Sequence, residues 1–362
     1  TEMVDKLNEA GKYTLFISRE GKIDKKIISN YEAYSCERDF DRVVEIIADL
    51  DMVCVSLYPS AFPSVADQLS EAIKLRIKNN NKKPLNVFFF ANKVFTARKM
   101  KELITERLDS EIEKNYFMEN VGIIEALTVR GGVKPTDEML AEDPLCVSSS
   151  EGRILKVGDN IIGEKPDMPF MEYLDKMEGR LAKKVWCGNM LHCTMSAIGN
   201  YKGYKYNIEC SKDNYIKNII DKAFDEADFG VGEEFGFTPE EMLENKQHYF
   251  DVFWDCKVKD DIARLAADPM RKLSYDDRYI GPALLCLKRG KLPYFLARSA
   301  AYLLMYDNEE DTVAIKMQNM IREKGIKQAI PEICGLNLEI ENENILYQLI
   351  YDNYMEICFQ KN

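Results

Sequence analysis

Residues 184–192, KVWCGNMLH, gather a lysine, an asparagine and one of only two histidines in a chain of 362 residues. A lysine that gives up its proton acts as a base, a neutral imidazole orients that base or a hydroxyl, and an asparagine amide donates to an oxygen on which charge develops. In an α-helix, at roughly 100° per residue, Asn189 falls about 140° and His192 about 80° round from Lys184, so the three share one cleft. The same residues also suit a helix start with a solvated lysine, a capping asparagine and a core histidine. Taken alone, the stretch leaves both readings open.

The elements before it alternate between two periods. YTLFIS (13–18) and KKIISNYEAYS (25–35), with Gly21 between them, predict a hairpin. DFDRVVEIIADL (39–50) has helical spacing and leads into MVCVSLY (52–58), which has the pattern of a buried strand. Pro59 and Pro63 break the chain before a helix that Ser64 is placed to cap. KPLNVFFFA (83–91) predicts another apolar strand and TARKMKELITERLDSEI (96–112) a following helix. Strands alternating with helices imply a parallel sheet, and its strand ends, after Tyr58 and Ala91, put Tyr58, Pro59 and Asn92 where a nucleotide cofactor lies in such folds.

Residues 120–165 read as strands and loops, and from about Met171 the chain reads as helical to its end, over 213–228, 239–254, 276–289, 296–306, 311–324 and 342–358. The breaks in EKPDMP place a domain change near 165–178, with domains at 1–170 and 171–362. GVGEEFG (230–236) follows a helix instead of a strand, so it reads as a helix stop and loop and not as a phosphate-binding turn.

Composition narrows the partners. With 46% apolar residues the chain has enough to bury sizeable cores. Lys and Arg number 49 against 61 Asp and Glu, a net charge of −12, which argues against a nucleic-acid binder. Lys82 with Lys83, and Lys183 with Lys184, are local clusters that suit a small anion. Ten cysteines without a CxxC pair, and only two histidines, point to reduced thiols in a cytoplasmic protein with no metal site. No apolar run approaches the 18 or so residues of a membrane span.

Lys-x4-Asn-x2-His at the head of a helical half resembles the signature of the polyol-specific long-chain dehydrogenases, the mannitol dehydrogenase family. LDMVCVSLYPS (50–60), PLNVFFFANKV (84–94), KDDIARLAADPMRKLSYDDRYIGPAL (259–284) and ICGL (333–336) support the likeness in the expected order along almost the whole chain. The resemblance implies an incomplete Rossmann-like N-terminal domain followed by a helical C-terminal domain. The family's first β-α-β unit, with its G-x-G-x-x-G turn, is not found in the opening residues. It also implies an NAD(P)-dependent oxidoreductase, NAD being favoured, that interconverts a polyol, sugar acid or sugar phosphate and its keto form, monomeric or weakly self-associating and independent of metal.

By the same resemblance Lys184 is the general base, Asn92 and Asn189 hold the reacting oxygen, and His192 positions a hydroxyl or the lysine. Arg278 shapes the substrate site, with Asp277 as its ion-pair partner and Arg271 and Lys272 as lesser candidates. Two departures stand out. The residue before Asn92 is Ala91 where the family carries an acid, and Thr128-Val129-Arg130 lacks the family's substrate-binding aspartate. A sugar-binding or regulatory protein of the same fold is the alternative these departures suggest. His248 matches no motif and reads as structural or exposed.

Overall fold

The computed structural model describes residues 2–19, 22–127, 134–152, 154–254 and 259–361. Gly21 of the expected hairpin turn, and Thr128, Val129 and Arg130, lie outside the described residues. The chain forms two compact units, one of Thr1–Ala91 and Phe95–Met177, the other of Asn92–Val94 and Glu178–Asn362.

In the first unit β1 (Lys12–Arg19) and β2 (Lys22–Ser29) pair antiparallel along their whole length. The other strands are β3 (Met52–Val55), β4 (Leu85–Phe89), β5 (Val121–Leu127), β6 (Val147–Ser150), β7 (Leu155–Gly158) and β8 (Met171–Leu174). β6 joins β1 in parallel, making a small sheet β2-β1-β6. The main sheet has the order β3-β4-β5-β7-β8; β3, β4 and β5 run parallel, and β7 turns antiparallel against β5. All five residues of β4 are buried, as expected for a central parallel strand.

Helices Phe40–Asp49, Phe62–Lys78, Thr96–Thr105 and Glu111–Asn120 bury Val44, Ile47, Leu69, Ile73, Met100, Ile104 and Phe117 in one apolar cluster with Leu85, Val87, Phe89 and Ile123. Arg76 is fully buried among them. Its guanidinium donates to Ala48 O (2.8 Å), Leu50 O (3.0 Å), Lys83 O and the Tyr116 hydroxyl (3.1 Å). One cation thereby satisfies carbonyls at a helix end and two loops that would otherwise be buried unpaired.

Four sequence expectations are corrected. β3 stops at Val55 and β2 at Ser29, both earlier than the apolar pattern suggests. Ser64 does not cap: the helix starts at Phe62, and Pro63 sits in its first turn, where a missing N–H costs nothing. The helix from Asn214 runs through Gly230 and Gly232 to Phe235 and stops at Gly236, whose φ of 65° suits glycine. Gly230 lies inside this helix because a Cβ there would approach Pro282 O and Leu285 to 3.1 Å. The helical half begins after β8 and not at Met171, since Met171–Leu174 pairs with β7 in the main sheet; the two units divide after Met177.

The second unit is helical among its described residues. Its centre is the helix Asn189–Tyr201, buried on most sides and packed by Asn214–Phe235, Ile262–Ala266 and Tyr294–Leu304. The N-terminus of Tyr294–Leu304 has no cap of its own, and Glu226 of the neighbouring helix accepts from Phe295 N (3.0 Å) and Leu296 N (2.8 Å) in its place. Arg298, nearly buried, ties the same helix to Tyr215, Asn353 and Glu356. Replacing Arg76 with leucine is expected to cost about 2–4 kcal/mol, the loss of several charge-assisted bonds with carbonyls left buried. Urea unfolding followed by circular dichroism measures it, and an unchanged midpoint would mean that those carbonyls find other donors.

Candidate active site

Lys184 does not enter an ordinary α-helix. Lys183–Gly188 is a π-helical turn, closed by a bond from Asn189 N–H to the Lys184 carbonyl, five residues back. The wider turn brings residues five apart onto one face, so the 140° separation of Lys184 and Asn189 expected from α-helical spacing does not hold. Such single turns inside longer helices recur at functional sites.

Close packing surrounds the turn. Trp186, fully buried, donates from its indole nitrogen to Asp276 O at 3.3 Å and lies against Gly281, where a Cβ would come within 2.7 Å of the ring. Gly188 faces the Tyr249 ring, where a Cβ would stand 2.4 Å from two ring atoms. Both glycines are required by close approach.

The turn presents Lys184, whose Nζ donates to Asn92 Oδ1 at 2.8 Å. Burial lowers its proton affinity below that of an ordinary lysine. Asn92 follows β4 in the chain and belongs to the helical unit with Lys93 and Val94. The Lys93 ammonium lies 3.6 Å from the Asp276 carboxylate, so Asp276 holds the neighbours of both partners, Trp186 through its carbonyl and Lys93 through its side chain. Sequence reasoning passed over Asp276 in favour of Asp277; only the three-dimensional pairing separates the two.

His192 is mostly buried, its ring 3.9 Å from that of Phe253. Burial, then the positive charge of Arg278, push its pKa down to about 4 against a smaller opposing pull from Asp260, so the imidazole is neutral at physiological pH. Arg278 is buried, bonded to Asp277 Oδ1 at 2.7 Å and reaching the Asn189 carbonyl at 3.4 Å. Lys184, Asn92, Asn189, His192 and Arg278 are therefore linked through one turn and its neighbours.

Arg271 and Lys272 are engaged elsewhere. Arg271 pairs with Asp268 (2.6 Å) and with Asp277 (3.3 Å), so it reaches Arg278 only through a shared carboxylate. Lys272 is buried and donates to Leu265 O at 2.6 Å, a helix-end role. His248 is exposed beside Tyr249. In the first unit Tyr58 is 83% exposed just beyond the carboxyl end of β3, and Pro59 opens a short 3-10 turn after it.

A unit built on parallel strands β3, β4 and β5, followed by a helical unit carrying a half-buried lysine in a π-turn, defines a Rossmann-type chain with a helical second domain. The chain belongs to the mannitol dehydrogenase family: the family's Rossmann domain matches residues 1–161 and its C-terminal domain residues 178–358. Among curated relatives it is 27% identical over 349 residues to a mannitol-1-phosphate 5-dehydrogenase of Thermoanaerobacter pseudethanolicus, covering 96% of this chain and 88% of the relative. It is 28% identical to the enzyme of the same name from Lacticaseibacillus casei, covering 92% and 86%. In fold it is similar to Pseudomonas fluorescens mannitol 2-dehydrogenase in a ternary complex with NAD and D-mannitol, with a TM-score of 0.72 at 15% identity over 98% of this chain and 82% of that one.

The state of His192 has a measurable consequence. The unfolded chain takes up a proton on this residue near pH 6.5 and the folded chain only near pH 4, so stability falls as pH drops through that window, by at most about 1.4 kcal/mol per pH unit. Urea unfolding of wild type and His192→Gln between pH 7 and pH 4 is expected to show the steeper acid loss in wild type; equal slopes would place a charged imidazole in the folded protein.

Proposed function

We propose that this chain is an NAD-dependent oxidoreductase that interconverts a secondary alcohol of a polyol, sugar acid or sugar phosphate with its ketone, Lys184 being the general base. The observation that carries the reading is the 2.8 Å bond from Lys184 Nζ to Asn92 Oδ1 at a half-buried turn. The family supports the cofactor. The strand ends fit it too: β3, β4 and β5 run parallel, so their carboxyl ends lie along one edge, where dinucleotides bind in open α/β sheets, and exposed Tyr58 and the Pro59 turn are the residues that would hold it. Bound nicotinamide supplies the hydride acceptor.

The chain's own groups manage the proton and the oxygen. Because the Asn92 oxygen faces the lysine, its amide nitrogen points away with two N–H donors for the substrate oxygen. Lys184, with its proton affinity lowered by burial, takes the hydroxyl proton as the carbonyl forms. Asn189 supplies a further donor from the far end of the π-turn, and neutral His192 donates to or accepts from a neighbouring hydroxyl. Arg278, fixed by Asp277, offers its remaining N–H groups to polyol hydroxyls or a phosphate.

Curated relatives carry the name mannitol-1-phosphate 5-dehydrogenase, which makes mannitol 1-phosphate with NAD, and fructose 6-phosphate with NADH, the first pairs to assay. A purely sugar-binding role is disfavoured, since binding alone has no use for a lysine whose proton affinity is lowered by burial and which is aimed at an amide. Among the described residues no helix is long and apolar enough to cross a membrane, and the scattered thiols suit the cytoplasm.

Lys184→Ala is expected to lower turnover by about 10²–10⁴-fold, the usual share of a general base, with the fold intact by circular dichroism. Lys184→Arg is expected to be as inactive, because guanidinium does not give up its proton. Turnover of either variant near that of wild type would remove the proposed base.

A further inference from the structure

The π-turn that aims Lys184 rests on a polar group that no step above uses. Cys187, three residues after Lys184, is fully buried, and its thiol meets the carboxyl of Asp228 on the helix Asn214–Phe235. Asn245, on Pro239–Trp254, donates to Asp228 Oδ1 at 3.4 Å. That same helix supplies Tyr249, whose ring lies against Gly188. The inner side of the turn is thus held at two successive residues, Cys187 and Gly188, by two neighbouring helices, while Trp186 is held on another side by Asp276 and Gly281.

We propose that Asp228 is a positioning residue: through Cys187 and Asn245 it fixes the wide turn that keeps Lys184 directed at Asn92. The alternative for these residues is a regular α-turn, with a bond from Gly188 N–H to the Lys184 carbonyl. Such a turn would rotate the lysine relative to Asn189. Asp228 opposes that rotation by giving the Cys187 thiol a partner only when the turn is wide. The inference rests on Lys184 being the base.

The groups around the carboxyl decide how it responds to pH. The turn contributes Cys187 and Lys183, and Pro239–Trp254 contributes Asn245 and Lys246; one step further out, Glu241 acts on Lys183, Asp225 on Lys246, and Tyr249 and Cys286 on Cys187. Lys183 is drawn off over the Phe237 ring at 3.7 Å and to the Glu241 carbonyl at 3.3 Å, and Lys246 pairs with Asp221 and Asp225. Neither cation is committed to Asp228. Burial dominates and raises the carboxyl's pKa to about 7, against the smaller lowering effects of Cys187, Asn245, Lys183 and Lys246. The positioning contact therefore changes from a neutral to an ionised form across the physiological range.

The test compares Asp228→Ala and Asp228→Asn in steady-state oxidation of mannitol 1-phosphate from pH 5.5 to 9.5, with Lys184→Ala alongside. Asp228→Ala is expected to lower kcat about 10–100-fold with KM within about twofold of wild type, since the base is displaced while substrate contacts remain. Asp228→Asn, an isostere that does not ionise, is expected to restore most of kcat and to lose a limb near pH 7 present in the wild-type profile. A lower melting temperature for Asp228→Ala, with kcat per folded molecule and the pH profile unchanged, would reduce Asp228 to a structural residue and overturn the proposal. Full turnover of Lys184→Ala would instead sink the base itself, whatever the Asp228 variants do.

Discussion

The site depends on a single hydrogen bond, from Lys184 Nζ to Asn92 Oδ1 at 2.8 Å, made by a lysine that is itself partly buried. An amine in that setting feels two opposed effects. The amide oxygen favours the ammonium, and burial favours the free amine; burial prevails, which moves the lysine toward the range where a base is useful. The bond also fixes direction. It leaves the Asn92 N–H groups aimed away from the lysine, the arrangement that the proposed base and oxygen donor require.

Several contacts of the helical unit surround that bond. The π-turn trades regular helix geometry for a lysine whose carbonyl is bonded to Asn189, and it is bought with two glycines that admit Tyr249 and Trp186 at distances no side chain would allow. Asp276 ties both ends of the contact, and Arg278 ties Asn189 to Asp277. His192 is kept neutral by burial and by Arg278. Charge at the site is therefore concentrated on the lysine and on a guanidinium already balanced by a carboxylate.

The residue types at the site were legible in the sequence; their geometry was not. Lys-x4-Asn-x2-His is visible in one dimension, as is the strand-helix alternation behind β3 and β4, because apolar periodicity reports burial directly. The π-turn was invisible, since its surroundings set Gly188 and Gly281 against aromatic rings more than 60 and 90 residues away in the chain. Asp228 was missed for the same reason: a lone aspartate in a helical run carries no local signal, and its meaning lies in Cys187. Ser64 reads as a cap because a proline beside a serine normally marks a helix start, whereas here the cap position falls three residues earlier, at Ala61, and the helix opens on buried Phe62. Arg271 and Lys272, grouped with Arg278 by sequence, are separated from it in role by Asp268 and the Leu265 carbonyl.

The most direct test is a titration of the lysine itself. With lysines carrying a 13C label at the ε-carbon and the Lys184 signal assigned by its loss in Lys184→Arg, NMR from pH 6 to 11 reads its protonation. The expected midpoint lies below the ordinary 10.5 and falls further in Asn92→Ala, where the amide oxygen that favours the ammonium is gone. A midpoint at or above 10.5, indifferent to Asn92, would contradict it.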